Sequence, residues 1–193
     1  MLDLITDFLL IVFAYCMGSV AIGYHLIWWK MKQDIRNHGS GSIGATNVGR
    51  LMGKSGFVIT LVGDCLKAVL VLSIARMLKQ TDTIISIMII AVIAGHIWPF
   101  YLNFRGGKGI ATALGAFLMI DIYVVVFIAL VSGLLFLITR RFTLSWILSV
   151  ILLLIFIIIR DSQSLPITYA IVISSILVVY AHKNNMHKEL TLS

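Results

Sequence analysis

What most narrows the folds open to this chain is its series of long apolar runs. Stretches of about 20 apolar residues match the hydrocarbon width of a bilayer. They run from roughly Leu4 to Trp28, Gly56 to Ala75, Ile84 to Leu102, Leu144 to Ile159 and Leu165 to Ala181. Composition agrees. Of 193 residues, 60% are hydrophobic and 12% charged, whereas a soluble domain carries about 25% charged residues. An ordinary cytosolic globule and a disordered chain are both excluded. So is a disulfide scaffold, because the only cysteines, Cys16 and Cys65, lie inside apolar runs, where a thiol behaves as a small hydrophobe. The expectation is an all-α polytopic bundle, with residues 1–193 forming one integral membrane domain.

The stretch from Gly109 to Ile138 is long for one span and short for two full ones. A tilted single helix and two shorter helices meeting near Asp121 both fit it. Charge bears on the choice. Lys30, Lys32, Arg36, Arg50 and Lys54 follow the first run, which puts that loop in the cytoplasm and the N-terminus outside. Asp3 and Asp7 stand where a cleavable signal would be basic. A hairpin over 109–138 keeps Arg105, Lys108, Arg140, Arg141, Lys183 and Lys188 on the cytoplasmic side, giving about seven membrane helices. Arg76 and Lys79 are then external, against the trend. The net charge of +7 reflects these flanks, and solvated charge facing lipid headgroups accounts for most of it. It does not imply nucleic acid.

The polar residues gather in three clusters. Between Asp34 and Gly56, Gly39, Gly41, Gly44, Gly49 and Gly53 alternate with Ser40, Ser42, Thr46, Asn47 and Arg50. Close-approaching amides, short hydroxyls and a guanidinium suit a phosphate, although a flexible connector fits an isolated stretch of this kind equally well. Gly49 to Ser55 imitates a nucleotide-binding loop, but its glycine spacing is one residue short and its flanks are membrane helices, so nucleotide hydrolysis is rejected. The second cluster, Arg105-Gly106-Gly107-Lys108-Gly109, feeds a helix start at Ile110, an arrangement suited to anions. His96 and Pro99 lie just upstream. The third, His182 with Asn185, shares one face if its helix continues. Asp64 and Lys67 stand three apart within the second run, where an ionisable pair either braces the bundle or lines a site. On the hairpin topology all three clusters reach one membrane face, which implies a phosphate-bearing ligand with an apolar part.

These residues give the chain a family likeness. Gly18-Ser19, Gly23-Tyr24, Asp34-Ile-Arg36, Gly39-Ser40-Gly41, Ile43-Gly-Ala-Thr-Asn47, Arg50, Asp64 with Lys67, Gly95-His96 with Pro99, Arg105 to Gly109, Ala111-Thr112, and His182 with Asn185 extend from the first run to the tail. Together they resemble the bacterial acyl-phosphate-dependent glycerol-3-phosphate acyltransferases. Ser42 departs from the usual Asn, Ala21 from a common Pro, and Thr143 with Ser145 stand where paired serines are usual. Either Thr143 or Ser145 fits the functional place.

The resemblance implies transfer of a fatty acyl group from acyl phosphate to the 1-hydroxyl of glycerol 3-phosphate in a bacterial cytoplasmic (inner) membrane, giving 1-acyl-glycerol 3-phosphate and phosphate. No cofactor and no metal are expected. No histidine is followed five residues later by aspartate, in keeping with a family that lacks that motif. Ser40, Arg50, Lys108, His182 and Asn185 are the expected catalytic set. Gly39, Gly41, Ser42, Thr46, Asn47, Gly106, Gly107, Thr143 and Ser145 would bind substrate, with Asp64, Lys67 and His96 in support. The phosphate ester and acyl phosphate would be clamped by Ser40, Thr46, Asn47, Arg50, Lys108 and glycine-loop amides, with His182 and Asn185 orienting the hydroxyl. The proton passes to His182 or to a substrate phosphate oxygen. The acyl chain would lie in a groove among the helices, open to the bilayer and its membrane lipids. The rival class, a transporter of an organic phosphate, calls for basic residues lining a path from both faces, and a phosphatidyl-alcohol phosphotransferase calls for an aspartate array that the sequence lacks.

Overall fold

The computed structural model describes residues 2–160 and 163–183. Among them run eight α-helices: α1 (Leu2–Ser19), α2 (Ile22–Met31), α3 (Ala45–Met77), α4 (Asp82–Ile97), α5 (Ile110–Ile120), α6 (Ile122–Thr139), α7 (Phe142–Arg160) and α8 (Leu165–Ala181). Short 3₁₀ turns occupy Ile35–Asn37 and Phe100–Leu102. The polarity of the surface fits lipid as solvent. Ile159 is 78% and Leu130 68% exposed, while Thr60, Thr112, Ser149 and Ser174 are buried. Inside, Leu72, Met88, Ile89, Ile93, Phe117, Leu153 and Ile171 form the common core. Helices α1 and α4 come close enough that a Cβ on Gly18 would strike the Val92 backbone, and one on Gly95 the Tyr15 backbone; small residues permit this in membranes. Helix α6 packs on α7 through Phe127 and Phe156, whose ring centroids lie 4.4 Å apart.

Three segments depart from the sequence reading or complete it. The first run, expected as one span, breaks between Ser19 and Ile22. Helix ends within an apolar shell must find backbone partners, and here they come from far along the chain. Lys67 Nζ donates to Gly18 O (2.8 Å) and Val20 O (2.9 Å). The Ala21 N–H donates to Tyr101 Oη at 3.0 Å.

Over 109–138 the two-helix path is the one adopted, with Asp121 as both the C-cap of α5 and the N-cap of α6. Its carboxylate accepts from the Tyr123 N–H (2.9 Å), Arg160 (2.6 Å) and Gln163 (3.0 Å). Lastly, the glycine-rich stretch from Asp34 to Gly56 is loop only as far as Gly44. Beyond that it is helix α3, kinked at Gly53 (φ 69°, ψ −160°). Straight, its 33 residues would reach about 50 Å, well past a hydrocarbon core of about 30 Å. The kink separates the first turns, 45–53, from a span-length remainder.

Candidate active site

The α2–α3 loop is shaped by two residues that hold the backbone. Asp34 caps the first 3₁₀ turn by accepting from the Arg36 N–H (2.9 Å), and its carboxylate pairs with the Arg36 guanidinium at 2.6 Å. The hydrogen bond from Arg36 holds the Asp34 carboxyl below the usual aspartate range, and the same partnership raises Arg36. Arg36 also donates to Leu102 O (2.8 Å), tying this loop to the second 3₁₀ turn.

Asn47 does the rest from the first turn of α3. Its Nδ2 donates to His38 O and Ser42 O (both 2.9 Å) and more weakly to Ile35 O (3.4 Å), and its Oδ1 accepts from the Ser40 N–H (3.0 Å). Gly39 is required beside it, because its φ is +57° and a Cβ there would collide with Asn47 Oδ1. The loop ends at Gly44, which brings no side chain to cap α3. Gly44, Ala45 and Thr46 line the cavity, so the positive end of the α3 dipole lies at its wall.

The α4–α5 loop turns back on the end of α4. The Gly106 N–H donates to Ile97 O (3.1 Å) and the Gly107 N–H to His96 O (3.0 Å). A Cβ on Gly107 would enter the His96 ring. The expectation that Gly106 and Gly107 offer their amides to an anion is corrected accordingly: both amides are engaged inside the protein. What their packing does is carry Lys108 to the cavity.

That cavity has a volume of about 470 Å³ and gathers residues from four separate segments. Ser40, Ser42, Thr46, Asn47 and Arg50 come from the α2–α3 loop and the start of α3, Lys108 from the α4–α5 loop, Thr143 from the start of α7, and His182 from the end of α8. Asp64 and His96 form part of the wall, whereas Gly39, Gly41, Gly106, Gly107, Lys67 and Ser145 do not line it. Gly41, with φ +70°, turns the loop beside them. Ser145 braces the α6–α7 turn, donating to Arg141 O (2.8 Å) and meeting Thr139 Oγ1 at 2.8 Å. Of the two hydroxyls left open by the sequence, Thr143 is thus the one at the cavity. Asn185 lies outside the described residues.

His182 Nδ1 lies 2.7 Å from Val178 O. A carbonyl only accepts, so Nδ1 carries the hydrogen, and Nε2 is the basic nitrogen of the neutral ring. Behind the wall, Lys67 Nζ lies 3.0 Å from Asp64 Oδ1 and 2.8 Å from His96 Nδ1. The two alternatives for Asp64 and Lys67 therefore both hold: Lys67 braces the broken first run, and Asp64 lines the cavity.

The sequence reading missed Phe57 and Leu61, the apolar wall. They stand seven and three residues before Asp64, on one stripe of α3, so the spacing was there to be read from an ionisable residue within a span.

A helix bundle with an apolar outer surface and, at one end, a cavity lined by two cations, four hydroxyls and two histidines is a polytopic membrane protein equipped to receive an anionic, partly apolar ligand. The family model described as glycerol-3-phosphate acyltransferase matches residues 8–191. A glycerol-3-phosphate acyltransferase 1 of Desulfitobacterium hafniense is 36% identical over 189 residues, covering 97% of this chain and 92% of that protein. One from Geotalea daltonii is 36% identical over 184 residues, covering 95% and 93%. The crystal structure of PlsY (YgiH), an integral membrane glycerol 3-phosphate acyltransferase, superposes in its glycerol 3-phosphate form with a TM-score of 0.88 at 32% identity, covering 96% of this chain and 92% of that one. Its lysophosphatidic acid form gives 0.86. The chain belongs to the glycerol-3-phosphate acyltransferase family.

Proposed function

We propose that the protein transfers an acyl group from acyl phosphate to the 1-hydroxyl of glycerol 3-phosphate, releasing phosphate and 1-acyl-glycerol 3-phosphate, with the cavity on the cytoplasmic side of a bacterial inner membrane. One observation carries this reading. Polar and cationic side chains from four segments and the apolar Phe57 and Leu61 share a single cavity. A soluble phosphate ester and a lipid-borne acyl donor meet in such a place. The solved relative's glycerol 3-phosphate and lysophosphatidic acid forms supply a substrate and product of the same chemistry.

In the reaction the 1-hydroxyl oxygen bonds to the acyl carbonyl carbon and the bond from that carbon to the phosphate oxygen breaks, so phosphate leaves with the electron pair. The anhydride is already activated, and no covalent enzyme intermediate is needed. Two phosphate groups must approach, which calls for cations. In this reading Arg50 and Lys108 neutralise them, with Ser40, Ser42, Thr46, Thr143 and the N-terminus of α3 donating hydrogen bonds. Asn47 holds that loop in shape. His182 Nε2 accepts the hydroxyl proton as the bond forms, and Asn185 orients the glycerol. The acyl chain leaves past Phe57 and Leu61 towards lipid.

The test is phosphate release by purified protein given acyl phosphate, with and without glycerol 3-phosphate. Release that depends on glycerol 3-phosphate, together with a lysolipid product, is the expected result. Arg50→Ala and Lys108→Ala should each lower kcat by about 10²–10³-fold. Absence of product in lipid or detergent that preserves the fold would favour a transporter instead. Near-normal turnover in His182→Gln would move the proton to a substrate phosphate oxygen.

A further inference from the structure

Lys67, Asp64 and His96 form a buried ionic cluster at the cavity's edge, in which Asp64 and His96 belong to the wall and Lys67 stands behind them. Charged groups within a membrane bundle are costly, so what this one holds in place is informative. Lys67 Nζ meets four partners: Gly18 O, Val20 O, Asp64 Oδ1 and His96 Nδ1, all within 3.0 Å. An ammonium has no lone pair, so His96 Nδ1 accepts, and the neutral ring carries its hydrogen on Nε2. That edge faces Gly107, where a Cβ would run into Nε2, and the same residue's carbonyl accepts the Gly107 N–H at 3.0 Å. One residue on is Lys108, which lines the cavity. An unbroken series of contacts thus runs from the break in the first span, through Lys67 and the His96 ring, to the turn that presents Lys108.

We propose that His96, fixed by the buried Lys67–Asp64 pair, is a positioning residue that seats the Arg105–Gly109 turn and so sets where the Lys108 ammonium stands. The role rests on the reading of Lys108 as a phosphate clamp, and it reaches beyond the cavity wall. A cation displaced by about 1 Å loses much of its effect on the reacting phosphate, a loss of about 10²-fold in rate. The Gly107 position has the same logic from the other side, since any side chain there would push the turn off the ring.

The test uses the full chain in detergent and three variants, His96→Leu, His96→Asn and Gly107→Ala. It reads kcat, KM for each substrate, thermal stability, and the rate at which an amine-reactive reagent modifies Lys108, followed by mass spectrometry. His96→Leu should lower kcat by about 10²-fold with KM for glycerol 3-phosphate near its wild-type value, and it should change the Lys108 modification rate. His96→Asn, whose Oδ1 stands where Nδ1 stood and accepts from Lys67, should recover most of both. Gly107→Ala should be harmful in the wild-type background and nearly silent beside His96→Leu, because the ring it strikes is gone.

Unchanged kcat and labelling in His96→Leu, or additive effects of the two substitutions, would overturn the proposal. Should His96→Leu fail to fold, Gly107→Ala with wild-type turnover and labelling overturns it alone. The labelling needs no substrate, so it judges the seat even if the acyl-transfer reading falls. An inactive wild-type protein, conversely, sinks that reading without touching the seat.

Discussion

A single amide, that of Asn47, holds the loop on which much of the cavity depends. Its NH₂ serves His38 O and Ser42 O and leans towards Ile35 O, while its oxygen takes the Ser40 N–H. Asn47→Asp keeps the shape and the acceptor but removes both donors, leaving carbonyls unpartnered at about 1–3 kcal/mol each. The variant should melt earlier and lose turnover. Wild-type melting and kcat together would show that the loop is held by something else. Asp34 makes a second residue-scale case. Its carboxyl titrates below the ordinary value because of the hydrogen bond from Arg36, so the folded protein binds that proton less readily than the unfolded chain. The stabilisation is complete above the unfolded pKa of about 3.9 and disappears as pH falls through the lower folded value. Asp34→Asn should therefore be less stable than wild type at neutral pH, with the two melting curves converging in acid. A difference that does not shrink as the pH is lowered would assign the effect to something other than this ionisation. The sequence showed which residues matter in this loop better than it showed how. Asn47 reads as a ligand until its four partners are seen, and nothing local announces that they lie between Ile35 and Ser42.

Among the elements, legibility followed the range of the forces. Helix α8 was bounded by its own apolar run, and its limits, Leu165–Ala181, are those the sequence indicated, with Pro166 in its first turn. The break at Ser19–Ile22 was not legible, because it is stabilised by Lys67 and Tyr101, which reach it from other helices. The same holds for the start of α3, where glycines that suggest a loop are taken into a helix with one kink at Gly53. Asp121 lies between these cases. It was visible as a charge dividing an over-long apolar stretch, but its partners Arg160 and Gln163 sit about 40 residues on. Removing its side chain takes away an N-cap, worth about 0.5–2 kcal/mol, and leaves the half-buried Arg160 without its carboxylate. Asp121→Ala should lower thermal stability by that order. Its kcat should stay at the wild-type value, because the junction lies away from the residues lining the cavity. A loss of turnover without a loss of stability would connect the junction to the active site.

At the scale of the whole molecule, the alternation of ends decides where substrates arrive. The α2–α3, α4–α5 and α6–α7 connections and the end of α8 converge on one cavity. The opposite connections meet elsewhere, with Arg76, Gln80, Asp82, Ile120 and Gln163 around a second hollow. Basic residues are denser at the first end, at Arg36, Arg50, Lys54, Arg105, Lys108, Arg140, Arg141 and Lys183, and on the proposed orientation, which follows the usual basic bias of cytoplasmic loops, that end is the cytoplasmic one. The break in the first run does not alter this count, because α1 and α2 together still carry the chain across once. Nor does the short α5, which pairs with α6 and returns the chain to the end it left. Exposed positions allow a direct check in a protein whose Cys16 and Cys65 have been replaced by alanine. Cysteines at Lys54, Arg140 and Lys183 should react with a membrane-impermeant thiol reagent only from the cytoplasmic side, and one at Lys79 only from outside. The Arg140 position is the informative one, since a single tilted helix over 109–138 would send it to the outer face with Lys79. Labelling of the Arg140 cysteine from outside would reverse α7 and α8 relative to the rest and part His182 from Lys108, and the shared cavity could not then form.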